Sequence, residues 1–144
     1  MIRKADNRDI ALITELSYKL FREWATKEEL LEETKTFLRD EDSVFFIATF
    51  EGEDLGYAQC GLRRDYVEGT ETSPVGYLEA IYVEPHVQRK GLGGQLVRAC
   101  EAWAKEKGCV EFGSDTYPSY THSIAFHEAL GFKKQLIMTF HKKI

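Results

Sequence analysis

Residues 77–108 constrain this chain more than any other stretch. Tyr77-Leu78-Glu79-Ala80-Ile81-Tyr82-Val83 is β-branched and aromatic, and Pro85 ends it. Gly91, Gly93 and Gly94 follow within a short turn. Leu92, Leu96, Val97, Cys100, Trp103 and Ala104 then recur at helical spacing, and Gly108 closes the run. A strand that passes through a glycine-rich turn into an amphipathic helix needs a sheet beside the strand and that sheet's face beneath the helix. The segment therefore predicts an α/β layered domain.

The turn itself has a chemistry. In Gln88-Arg89-Lys90-Gly91-Leu92-Gly93-Gly94 the glycines let backbone N–H groups come close to a ligand. The N-terminus of the following helix adds partial positive charge, and Arg89 and Lys90 add more at the rim. The combination suits an anion such as a pyrophosphate. A P-loop would need Gly-Lys-Ser/Thr, but Gln95 follows Gly94. A dinucleotide fingerprint would need a glycine where Leu96 stands. A connector without a ligand is the remaining alternative.

The rest of the chain reads as elements around that segment. Asp6 or Asn7 can cap a first helix carrying Ile10, Ile13, Leu16, Leu20 and Trp24 at helical spacing. Thr26 and Glu29 form a capping box for a second, with Leu30, Leu31, Phe37 and Leu38 on one side. Residues 44–50 and 55–62 read as a hairpin around Glu51-Gly52-Glu53-Asp54. Residues 64–75 form a long polar loop. Strand, helix and strand follow at 110–114, 123–130 and 132–141, the last with Leu136, Met138 and Phe140 on one face. The expected order is αα-βββ-α-β-α-β in a single domain spanning residues 1–144.

Charge narrows the partners. Nineteen Lys and Arg stand against 24 Asp and Glu, a net charge of -5, which argues against nucleic acid. The three cysteines form no C-x-x-C pair, and the four histidines lack metal-ligand spacing, so no metal is expected. No apolar run approaches 18 residues and no signal peptide is evident, which excludes a membrane and points to the cytoplasm.

Gln88-x-x-Gly91-x-Gly93, preceded by Ile81-Tyr82-Val83-x-Pro85 and followed late by Leu130-Gly131-Phe132, resembles the acetyl-CoA signature of the GCN5-related N-acetyltransferases (GNAT). The resemblance implies a mixed central sheet with splayed strands, flanked by helices. It implies acetyl-CoA as co-substrate, held by Ile81, Tyr82, Val83, Gln88, Arg89, Lys90, Gly91, Leu92, Gly93, Gly94 and Gln95, with the pantetheine arm lying along the strand like an added strand. Residues 64–75, with Leu78-Glu79-x-Ile81-Tyr82-Val83, Ser114-Asp115, His127-x-x-Leu130-Gly131-Phe132 and the closing Lys142-Lys143-Ile144, are similar to one subgroup of aminoglycoside 6′-N-acetyltransferases. Residues 1–60 match that subgroup poorly. Its antibiotic-bordering tryptophan has Phe21 as its nearest counterpart here, with Trp24 three residues on. The implied acceptor is an aminoglycoside; another small amine or a protein or peptide amine is the alternative. The subgroup also allows a homodimer.

Acetyl transfer to an amine needs a group that binds the ammonium and takes its proton. Glu79, within an otherwise apolar strand and sharing a face with Ile81 and Val83 by simple alternation, is one candidate. Asp115, at the end of the next strand, is the other. An internal salt bridge of Glu79 with Arg63, Arg64 or a lysine, and a turn role for Asp115, are the structural alternatives. His127 could protonate the leaving thiolate or simply pack. Tyr66 could stack on a sugar ring or pack in its loop.

Overall fold

The computed structural model describes all of residues 1–144, which form two compact units, Met1–Ser114 and Asp115–Ile144. The first holds β1 (Ile2–Lys4), α1 (Ile10–Phe21), α2 (Lys27–Arg39), β2 (Ser43–Phe50), β3 (Glu53–Arg63), β4 (Val75–Val83), α3 (Leu92–Glu106) and β5 (Phe112–Gly113). The strands form one mixed sheet in the order β1-β2-β3-β4-β5, antiparallel except for the parallel β4·β5 pair. The three-residue β1 is too short to show alternation in sequence, and the sequence reading contained no strand there.

Ile13 and Leu16 of α1 pack with Phe45, Ile47, Tyr57 and Ala80 on one face of the sheet. Leu96, Val97 and Cys100 of α3 are fully buried, and the Cys60 thiol of β3 lies 3.9 Å from the Cys100 carbonyl oxygen. The α3 face is therefore the opposite one. Each large apolar side chain buried in this way contributes about 1.5–3 kcal/mol. Gly76 brings the layers close: a Cβ there would meet Ala104 Cβ at 2.5 Å and Phe112 Cδ1 at 2.7 Å. The Thr26–Glu29 capping box forms as the sequence predicts. The first helix ends at Phe21 rather than Trp24. There the N–H groups of Trp24 and Ala25 both return to the Phe21 carbonyl, turning the chain away.

At the chain's start, Arg3 donates two hydrogen bonds of 2.9 Å to Asp9 and one of 3.0 Å to Asp54. Asp9 is buried, and the Arg3 hydrogen bonds hold its carboxyl below the usual range despite that burial. A lowered folded-state value means the stabilisation is complete above the unfolded value near 4 and is lost as pH falls through the folded value. Thermal melts should show stability declining below about pH 4. Arg3→Ala should cost about 1–3 kcal/mol at neutral pH, because Asp9 is left buried without its cation.

Strand β4 is not a simple alternation. Gln59 faces Ala80 and Cys60 faces Leu78, so Glu79 is the extra residue of a β-bulge. Val75, Tyr77 and Glu79 lie on the α1 face, and past the bulge Ala80 and Tyr82 lie there as well. Glu79 therefore does not share a face with Ile81 and Val83, as alternation predicts. The inserted residue reverses the parity of everything after it.

The strand predicted at 110–114 is reduced to Phe112–Gly113, which pairs only with Gly76 and Tyr77. In the second unit, α4 spans Thr121–Ala129 and the chain turns at Gly131, whose φ is +90°. The final strand predicted at 132–141 does not form, and Leu136, Met138 and Phe140 are 75%, 76% and 86% exposed. Apolar alternation alone cannot make a strand: the backbone needs a ladder partner, and this unit contains no strand.

Candidate active site

On the α1 face of the sheet lies a cavity of about 520 Å³. Its floor is Gln59 and Gly61 of β3 with the bulged Glu79 of β4. Phe21 and Trp24 come from the end of α1, and Glu33 and Phe37 from α2; Asp40, Asp42 and Ser43 close it. Four carboxylates thus face one cavity beside three aromatic rings. Such a lining suits a ligand that carries several positive charges on an apolar frame.

Glu79 is not isolated. Its Oε1 accepts from Arg63 Nη2 at 2.7 Å and its Oε2 from Arg63 Nε at 3.0 Å. The same guanidinium lies 3.5 Å from the centre of the Tyr77 ring. Arg64, the next residue, bonds Asp42 at 2.5 Å. The salt bridge is therefore real, and it lies beside the cavity that Glu79 lines.

The glycine-rich turn leaves the start of a helix open. Gln88 Nε2 donates to the Val83 carbonyl at 3.1 Å, tying the turn to the strand end. Arg89 and Gly91 take left-handed φ values of 66° and 81°. Gly91 occupies the N-cap position of α3, and no side chain caps the helix. The first N–H groups of α3 consequently lack intrahelical acceptors and a cap, as an anion requires. Beyond Tyr77 the β5-side edge of β4 has no strand partner, so the backbone of Leu78–Val83 is available for strand-like pairing. The edge and the turn together fit a long ligand with amides along one arm and a diphosphate at its end.

Tyr66 is 72% exposed and does not line the cavity. Asp115 is exposed and is the first residue of the second unit. In α4, His127 Nδ1 lies 2.7 Å from the Ser123 carbonyl oxygen, and the ring packs edge-on to Phe132 at 5.1 Å. A carbonyl only accepts, so Nδ1 carries a proton and the neutral ring's lone pair is on Nε2. The sequence reading missed Glu33, Asp40 and Asp42. Glu33, Phe37 and Asp40 recur at helical spacing, a signal that was present but outweighed by the apolar side of the same helix.

All three cysteines are buried; the hydrogen bond with Cys60 and burial push the Cys100 thiol up, and burial raises that of Cys109. No group of three or more His, Cys, Asp or Glu side chains could hold a metal ion, and no helix is long and apolar enough to cross a membrane.

Comparison with known proteins agrees with this geometry. The acetyltransferase (GNAT) family profile matches residues 10–132. An aminoglycoside N(6′)-acetyltransferase type 1 of Stenotrophomonas maltophilia is 40% identical over 134 residues, covering 92% of this chain and 86% of that protein. One of Acinetobacter haemolyticus is 36% identical over 145 residues, covering 99% and 98%. Among solved structures, AAC(6′)-Iy in complex with the bisubstrate analog CoA-S-monomethyl-acetylneamine superposes with a TM-score of 0.94 at 33% identity, covering 100% of this chain and 97% of the other.

Proposed function

The chain belongs to the acetyltransferase (GNAT) family, and from that membership we propose that it transfers the acetyl group of acetyl-CoA to the 6′-amino group of an aminoglycoside. The observation that carries the acceptor class is the cavity with Glu33, Asp40, Asp42 and Glu79 around Phe21, Trp24 and Phe37. Aminoglycosides are rigid, amine-rich sugars, and several carboxylates on one wall can hold several ammonium groups at once.

Acetyl-CoA supplies an activated thioester. Ile81, Tyr82 and Val83 would hold its arm along the open edge, and the turn from Gln88 to Gln95, with Gly91, Leu92, Gly93 and Gly94, would hold its diphosphate. Arg89 and Lys90 would add charge there. Phe21 and Trp24 would border the acceptor. Glu79 would bind the reacting ammonium and take its proton, directly or through one water, because only the neutral amine attacks. The Ile81 N–H would polarise the thioester carbonyl. As the new C–N bond forms and the C–S bond breaks, the nitrogen must shed its second proton, to water or to the leaving sulfur, and the sulfur must gain one. His127 Nε2 could deliver it only from the imidazolium, since Nδ1 is committed to Ser123. Asp115 would bind a second ammonium.

Such an enzyme would work in the cytoplasm, where acetyl-CoA is available. A homodimer belongs to the same proposal, because a second copy would cover the exposed row of Leu136, Met138 and Phe140. Light scattering should then give twice the 16.6 kDa chain mass.

The test is an acetyl-transfer screen read as CoA release across aminoglycosides, spermidine, amino acids and peptide amines. Aminoglycosides should be the strongest acceptors. Stronger turnover of a peptide or a simple polyamine would replace the acceptor class while leaving acetyl transfer intact.

A further inference from the structure

Two carboxylates that line the proposed acceptor cavity already carry cationic partners, which stand beside it. Of its four carboxylates, two are paired with consecutive residues of the chain: Glu79 with Arg63 and Asp42 with Arg64. Glu33 and Asp40 enter no ion pair. Arg63 takes both Glu79 oxygens, at 2.7 and 3.0 Å, in the fork geometry that a guanidinium offers a carboxylate.

We propose that Arg63 and Arg64 are stand-ins for two ammonium groups of the acceptor, so that acceptor binding is an exchange of cations on Glu79 and Asp42. The inference rests on the acceptor reading above and adds two residues that set its affinity.

Three observations carry it. First, Arg63 occupies both oxygens of Glu79, and Arg64 occupies Oδ2 of Asp42. An ammonium about 4 Å from Glu79 and about 5 Å from an unmoved Arg63 would lose roughly four-fifths of its attraction to repulsion, since both scale as 1/r. Tight binding of the reacting amine therefore requires Arg63 to withdraw. Second, both pairs are reached by solvent. The side chains of Arg63 and Glu79 are 43% and 30% exposed, and those of Arg64 and Asp42 are 59% and 43% exposed. The single-bonded Arg64–Asp42 pair is of the weak, solvent-screened kind and exchanges first; the two-bonded Arg63–Glu79 pair holds more strongly and exchanges second. Third, Arg63 can leave Glu79 without being stranded in solvent: its guanidinium lies 3.5 Å from the Tyr77 ring centre and can shift across that ring away from the carboxylate while keeping a cation–π contact. The unpaired Glu33 and Asp40 would attract the polycation first, and exchange on Glu79 and Asp42 would follow.

The test is calorimetric titration of neamine into wild type, Arg63→Gln and Arg64→Gln at low and physiological salt, with acetyl transfer to neamine followed in parallel. Each variant should bind neamine about three- to tenfold more tightly than wild type, with the larger gain at low salt. Both arginines are solvent-exposed, and Arg64→Gln keeps the question open to test if Arg63→Gln fails to fold. Unchanged or weaker binding in the folded variants, with wild type acetylating neamine normally, would overturn the stand-in role alone and make Arg63 a positioning residue for Glu79. A wild-type protein that binds neamine without acetylating it would instead count against the proposed reaction, and the comparison of affinities would still decide the exchange. If wild type neither binds nor acetylates neamine, both proposals fall.

Discussion

Glu79→Gln should lower kcat/KM for the acceptor by about 10²–10⁴-fold, the range expected when a general base is lost. The amide keeps the size of the side chain and its place on the bulge. It cannot take a proton from an ammonium, and it no longer neutralises Arg63, which would stand 2.7 Å away as an uncompensated cation facing the incoming amine. Binding and proton removal should both suffer. Acetyl-CoA should bind within about twofold of the wild-type affinity, because the glycine-rich turn owes nothing to Glu79. Steady-state rates read by CoA release, beside a separate acetyl-CoA titration, check both halves. Loss of acetyl-CoA affinity as large as the loss in acceptor turnover would place Glu79 in the wrong part of the site.

Gly91→Val should have the opposite signature. Gly91 holds φ at +81° at the N-cap of α3, a conformation in which a β-branched side chain meets the neighbouring carbonyl at a cost of about 1–2 kcal/mol. The turn would relax and carry the first N–H groups of α3 away from the diphosphate, weakening acetyl-CoA binding by about 10–100-fold. Wild type should gain about 2.7 kcal/mol of stability at a hundredfold excess of acetyl-CoA over its dissociation constant. The variant should lose most of that gain while melting as a folded protein without ligand. A full thermal shift in the folded variant would remove the turn from the diphosphate site.

The elements that carry the proposed acetyl-CoA site are legible in sequence because they are local: one strand, one turn and one helix start lie within Tyr77–Gln95. The capping box of α2 and the core positions of α3 were readable for the same reason. The cavity proposed for the acceptor is only partly legible. Glu79 stood out as a charge in an apolar strand, but its face depends on a one-residue register shift against β3, which no pattern within β4 records. Asp42 and Arg64 meet across 22 residues of chain, and helical periodicity cannot foresee such a pair. The alternation of Leu136, Met138 and Phe140 has the pattern of a strand because sequence reports which side chains could share a face, not whether a ladder partner exists.

The most direct measurement gives the protein acetyl-CoA with either neomycin or paromomycin, which differ at the 6′ position by an amine and a hydroxyl. A hydroxyl is a poorer nucleophile and brings no charge for Glu79 to hold. Neomycin should be converted to a product carrying one added acetyl group, located on the 6′ nitrogen by NMR, and paromomycin should hardly react. Equal turnover of the two, or an acetyl group on any other nitrogen of neomycin, would contradict acetyl transfer to the 6′-amine.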